Sequence, residues 1–235
     1  MSRQFTFNPS ERFRWTDIVI GICFAFSLLA IGLCIAINFR ALYYLNISWN
    51  DIPAASGYNA VVIRENYDAL IDYCCPFFTG ALSFPSLPSS ESALSHFAEV
   101  KTIFNVIYGI GVVTLIITVA MFIRKHREGS FVYLRTCALC AAVLPLFVTL
   151  FSLISFDTLF ILFHKLMFNN DDWIFNPVTD PIIDMLPENY FAQCAILIAV
   201  VMLIGSGTAF FFYRRKLKAY KAGQTLTPPK KNYIY

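Results

Sequence analysis

Histidine is the side chain whose ordinary pKa, about 6.5, lets it take and give protons near neutrality. This chain has three: His96, His126 and His164. His164 sits in FILFHKLMFNNDDWIFNP, residues 160–177, where an apolar run turns polar and acidic. His96 sits in SALSHFAEVK, about two helical turns ahead of an apolar stretch that opens at Ile103. His126 lies in RKHRE and reads as a solvated member of a basic loop. His96 and His164 each border an apolar stretch, which leaves two readings open. Either they are satisfied polar residues where helices leave an apolar phase, or they are a general acid/base pair.

Other polar residues widen the candidate site. Glu99 is one helical turn from His96 and shares a face with it, whereas Asp157 is two turns from His164, too far for a direct bond along one helix. Arg64 is a candidate for anionic recognition. Lys101, with Arg40, ends an apolar stretch, where snorkelling or contact with a lipid phosphate or ester both fit. Tyr67, Asn170 and Trp173 are the candidates for donating to an oxyanion. There is no HExxH, GxSxG, P-loop or GxGxxG, so metalloprotease, serine-hydrolase and nucleotide-driven readings lose their usual signals. Cys137 and Cys140 form a CxxC without a second pair, and no metal or cofactor is expected. Cys74 and Cys75 are adjacent and do not suggest a disulfide framework.

The elements that must hold these residues follow from composition. Apolar residues make up 57% and charged residues 14% of 235, and the mean hydropathy is +0.61, values that point to a membrane protein. Hydropathy predicts four transmembrane helices, over 18–39, 102–123, 136–155 and 191–213, each near the ~20 residues that cross a bilayer. The first is too long for a signal h-region and reads as a retained span. Between the spans lie an N-terminal segment (1–17), a loop (124–135) and a tail (214–235), which together hold 14 basic and 3 acidic residues. Segments 40–101 and 156–190 hold 4 basic and 12 acidic. The split, +11 against −8, places both termini in the cytoplasm and the two acidic segments outside. The basic side is explained by topology and anionic lipid, so no nucleic-acid partner is called for.

The fold class expected is therefore an all-α membrane protein of four transmembrane helices with a small extracytoplasmic cap over 40–101. Within the cap, VVIRENYDALIDYC places Ile63, Tyr67, Leu70, Ile71 and Cys74 at helical spacing. PFFTGALSFPSLPSSES reads as loop, with Phe77, Phe78 and Phe84 directed at the interface. The apolar run continues past Ser155, either as a bent third helix with Pro145 as its kink site or as a separate interfacial segment over 156–168. Trp173, Phe175 and Tyr190 follow at belt height, and the closing QTLTPPKKNYIY is expected to be disordered.

IRENYDALIDY, then SALSHFAEVK, then FHKLMFNNDDWIFNPVTDPIIDMLPENYF together resemble a family of Gram-positive four-span membrane proteins that includes the lipoprotein intramolecular transacylases. The resemblance runs from the first span to the fourth. It implies an acyltransferase that moves the sn-2 acyl chain of a lipoprotein's diacylglyceryl-cysteine to that cysteine's α-amino group, giving an N-acyl lyso-lipoprotein. The partners implied are diacylated lipoproteins and membrane lipid, at the extracytoplasmic face of the cell membrane. Ester aminolysis needs a base for the amine's proton and an acid for the glycerol oxygen, and His96 and His164 divide those tasks. The nucleophile is already on the substrate, so neither a serine elbow nor a cofactor is needed. The competing classes are a non-enzymatic tetraspan scaffold, to which Cys74-Cys75 gives only superficial support, and a small transporter or channel, for which the spans hold too few ionisable residues.

Overall fold

Long apolar runs satisfy their backbone polar groups internally only as helices once water is absent. The computed structural model describes residues 14–152 and 155–225, and every regular element among them is helical. In chain order these are α1 (Trp15–Asn38), α2 (Arg40–Trp49), α3 (Ile52–Ser56), α4 (Ala60–Cys74), α5 (Glu91–Arg127), α6 (Val132–Ser152), α7 (Phe156–Met167) and α8 (Glu188–Thr225). A single 3-10 turn spans Pro181–Met185. Residues 1–13 of the expected N-terminal segment and the part of QTLTPPKKNYIY beyond Thr225 lie outside the described residues.

Three of these helices, α1, α5 and α8, are long and apolar enough to cross a membrane, while α6 carries a shorter apolar run over Val132–Phe147. They pack as a bundle in which α1 meets α5, α6 and α8. Small residues permit that closeness. A methyl added at Gly111 of α5 would stand 2.3 Å from the Ala30 Cβ of α1, and one at Gly21 of α1 would stand 2.8 Å from Cys140 Sγ of α6. Polar side chains add specific links: Ser27 Oγ meets Thr114 Oγ1 at 3.1 Å between α1 and α5, and Ser206 Oγ donates to the Ala138 carbonyl at 2.8 Å between α8 and α6. The outward faces expose Val113, Ile116, Leu139, Val143, Ile196 and Phe211, apolar surface of a kind suited to lipid rather than to water.

At 37 residues, α5 is roughly 55 Å long at 1.5 Å per residue, well beyond the ~30 Å of hydrocarbon. Its first turns therefore stand above the apolar stretch and join a second core. There α2, α3, α4 and the Pro181–Met185 turn bury Tyr43, Ile47, Ile52, Ile63, Tyr67 and Met185 together. α4 buries Ile63, Tyr67, Leu70 and Cys74 as its spacing predicts. Phe84, expected at the interface, instead packs into this core at 8% exposure, against Phe97, while Phe77 remains 91% exposed. α2 and α3 are elements the pattern reading passed over. Between α6 and α8 the chain resolves into a separate helix, α7, started by Ser155, whose side chain accepts from Thr158 N.

Candidate active site

Two helices that share no sequence neighbourhood bring His96 and His164 together. Ser90 caps α5 by accepting from Ala93 N, and Asp180 holds that cap in place: Ser90 N and Ser90 Oγ donate to its two carboxylate oxygens at 2.6 and 2.9 Å. Burial alone would push the Asp180 carboxyl up, but hydrogen bonds from Ser90 and Thr179 outweigh it and hold the group below its ordinary value. The loop after α7 is thereby tied to the start of α5, one and a half turns before His96. α7 is strongly one-sided. Ile161, Leu162, Phe163, Leu166 and Met167 face outward, while His164 turns inward.

The two imidazole rings lie 5.7 Å apart, centroid to centroid, and are 6% and 8% exposed. Aromatic rings enclose them. Phe168 stands 4.6 Å and Phe175 5.6 Å from His96, while Phe160 stands 4.2 Å and Trp173 4.9 Å from His164. His164 Nδ1 meets the Phe160 carbonyl at 2.7 Å. A carbonyl only accepts, so Nδ1 carries the proton and the neutral ring presents its lone pair at Nε2. His96 Nδ1 is buried without a hydrogen-bond partner.

Electrostatics follow from this burial. Desolvation, then the neighbouring His164, push His96 down to about 4, with Asp172 pulling the other way. Desolvation also lowers His164, against the opposing effect of its bond to the Phe160 carbonyl. Both shifts favour the neutral ring, the form that can accept a proton.

The remaining sequence candidates fall into two groups. Asn170 and Glu99 meet directly, Asn170 Nδ2 donating to Glu99 Oε1 at 2.9 Å, and Trp173 lies against His164. The other three are engaged elsewhere. Arg64 is exposed and stacks over Tyr44 at 4.7 Å. Tyr67 lies in the cap core, stacked on Tyr43 at 3.6 Å, with its hydroxyl 2.7 Å from that of Tyr190. Lys101 Nζ donates to the Phe78 carbonyl at 2.9 Å and sits over the rings of Tyr73 and Phe78. Arg40, which snorkelling alone would explain, pairs with both Asp68 and Asp72. Phe160, Phe168 and the bracing Asp180 were not singled out from sequence, although the aromatic density of residues 156–175 was there to be read. Among the described residues no group of three or more His, Cys, Asp or Glu side chains suits a metal.

Comparison with known proteins gives a consistent result. Residues 18–191 match the family described as lipoprotein intramolecular transacylase Lit. The solved structure of the membrane integral lipoprotein intramolecular transacylase Lit from Bacillus cereus is similar at a TM-score of 0.84 and 34% identity, over 88% of this chain and 96% of that one. Two variants of that Bacillus cereus protein, with one histidine replaced by arginine or by alanine, match at a TM-score of 0.79 and 33% identity over 88% of this chain. They are covered over 92% and 94% of their lengths. No curated protein matches the chain.

Proposed function

Because this chain belongs to the lipoprotein intramolecular transacylase family, we propose that its two buried histidines carry the acyl transfer. The protein is an acyltransferase of the membrane. It moves the sn-2 acyl chain of a lipoprotein's diacylglyceryl-cysteine to the α-amino group of that cysteine. The juxtaposition of His96 and His164 in one aromatic enclosure is the observation that carries the assignment of roles.

The neutral α-amine attacks the ester carbon, closing a ring through the cysteine and glycerol atoms of one substrate molecule. Holding both ends of that ring in a confined site supplies the proximity the reaction requires. The lone pair at His164 Nε2 takes one proton from the nitrogen as the N–C bond forms. As the C–O bond breaks, His164 passes that proton to His96 and His96 delivers it to the glycerol oxygen, so one proton has moved from nitrogen to oxygen and both rings end neutral. Neutral imidazoles suit the first step, and the enclosing aromatic rings limit the access of water that would hydrolyse the ester in competition.

The charge split of +11 and −8 supports four spans with α6 as the third, both termini in the cytoplasm, and a site facing the outer leaflet where diacylated lipoproteins are anchored. His96→Ala and His164→Ala are each expected to leave a folded, inserted protein and to lower N-acyl lyso-product by the 10²–10⁴-fold range typical of a general acid/base group. The double variant should be little worse than either single one, since the pair handles one proton. Mass spectrometry of a lipopeptide N-terminus reads the product. Full activity in either single variant overturns the assignment.

A further inference from the structure

Glu99 lies one turn below His96 on α5, and its carboxylate is only half used. Oε1 accepts from Asn170 Nδ2, whereas Oε2 is buried and has no hydrogen-bond partner. Asn170 is itself fixed, because its Oδ1 accepts from Asp172 N at 3.1 Å, so its amide is not free to turn. The nearest base along the helix, Lys101, is spent on the Phe78 carbonyl and two aromatic rings. A buried carboxylate oxygen without a donor is costly, and such a group calls for a partner that arrives with function. Glu99 shares a face of α5 with His96, so an N–H or O–H arriving at the histidine pair fits that role.

This inference rests on the transacylase reading of the site, whose substrate brings such a donor. We propose that Glu99 Oε2 accepts a hydrogen bond from the α-amino N–H of the lipoprotein's N-terminal cysteine and turns the nitrogen lone pair toward the ester carbon. Of the amine's two hydrogens, one leaves to His164 Nε2. The one on Glu99 stays and becomes the amide N–H, so Glu99 itself transfers no proton. As the N–C bond forms the nitrogen gains positive charge, and a carboxylate facing it stabilises that stage more than the resting complex.

The test uses two lipopeptides, one with the free α-amine and one with hydrogen in its place, bound to full-length His164→Ala protein in lipid nanodiscs. That variant is expected to turn over 10²–10⁴-fold more slowly, so binding is read before appreciable product forms. It should prefer the free amine by about 10-fold, the value of one charge-assisted hydrogen bond. With Glu99→Gln added, the single carbonyl of the amide serves Asn170 and an NH₂ faces the amine, so the preference should fall below about 2-fold, a loss of most of that hydrogen bond. Asn170→Ala removes the same internal bond but leaves the carboxylate, and the preference should persist there. A preference kept in Glu99→Gln, missing in His164→Ala alone, or lost equally in Asn170→Ala would overturn the proposal. Failure of wild-type protein to make N-acyl lyso-product would instead overturn the transacylase reading, because the binding preference does not depend on turnover.

Discussion

The molecule buries two polar pairs at opposite ends of α5, and they are built on opposite principles. Near its end, Lys125 Nζ meets Asp17 Oδ1 of α1 at 2.8 Å, with side chains 5% and 4% exposed, and Thr16 Oγ1 adds a further contact. Near its start, His96 faces His164, two bases of one kind with no charge to neutralise and one nitrogen left without a partner. The first pair is complementary and satisfied, so it joins two helices and leaves little that could bind a substrate. The second is like with like and incomplete, so it contributes less to holding helices together and has capacity left for a proton. Burial alone does not distinguish the two ends; unmet hydrogen-bonding capacity in titratable groups does.

The largest effect that tests this contrast is structural. Lys125→Ala leaves the Asp17 carboxylate buried and uncompensated, a loss expected to cost about 3–5 kcal/mol of stability. Replacing both partners together, Asp17→Leu with Lys125→Met, should recover most of that loss, because neither charge is then stranded. Product formed per folded molecule should remain at the wild-type level in both. Unfolding in nanodiscs, followed alongside mass spectrometry of the lipopeptide, separates the two quantities. If Lys125→Ala abolished chemistry at unchanged stability, the division of labour between the two ends would be wrong.

A smaller effect sharpens the contrast through pH. His96 is held at about 4 in the folded protein against about 6.5 when unfolded. Between those values the unfolded chain binds a proton that the folded site refuses. Stability is therefore fully present above pH 6.5 and declines as pH falls toward 4, by a few kcal/mol at most. His164 is shifted in the same direction and adds to the decline. His96→Phe should flatten this part of the curve relative to wild type when thermal transitions are compared across pH 4–7. An unchanged slope would mean that the ring is solvated.

Much of this arrangement is legible in the chain, for identifiable reasons. Hydropathy fixes depth, so the position of His96 ahead of Ile103 and of His164 at the close of an apolar run was enough to suggest one level for both. Periodicity found α4, and RALYYLNISW carried the same signal for α2, with Tyr43, Asn46 and Ile47 on one buried side. Pairing across long stretches was not legible. Charge counting treats Lys125 as one more inner-side cation and cannot see Asp17 more than a hundred residues away. Asp180 likewise reads as part of a turn until Ser90, ninety residues earlier, is found donating to it. Tyr67 has the right chemistry for a donor, yet its hydroxyl is used within the cap, a matter of packing that residue type does not reveal.

The smallest expected effect concerns the third histidine. His126 is exposed near the end of α5, in the same turn as Arg124, whose Nε pairs with Glu128 Oε1 at 2.9 Å. Its neighbour Lys125 points inward to Asp17, so the helix turn is anchored without it. A cation in the last turn of a helix gains little from the macrodipole when exposed, at most about 0.3–1 kcal/mol at low ionic strength. His126→Ala should therefore shift stability by no more than about 0.5 kcal/mol, in line with ordinary surface substitutions. N-acyl lyso-product should be unchanged. The comparison is informative because the same substitution at His96 or His164 should remove most activity, so residue type is held constant while burial and partnership vary. A large activity loss in His126→Ala at normal protein levels would move the chemistry to the other end of α5 and with it reverse the proposed orientation of the site.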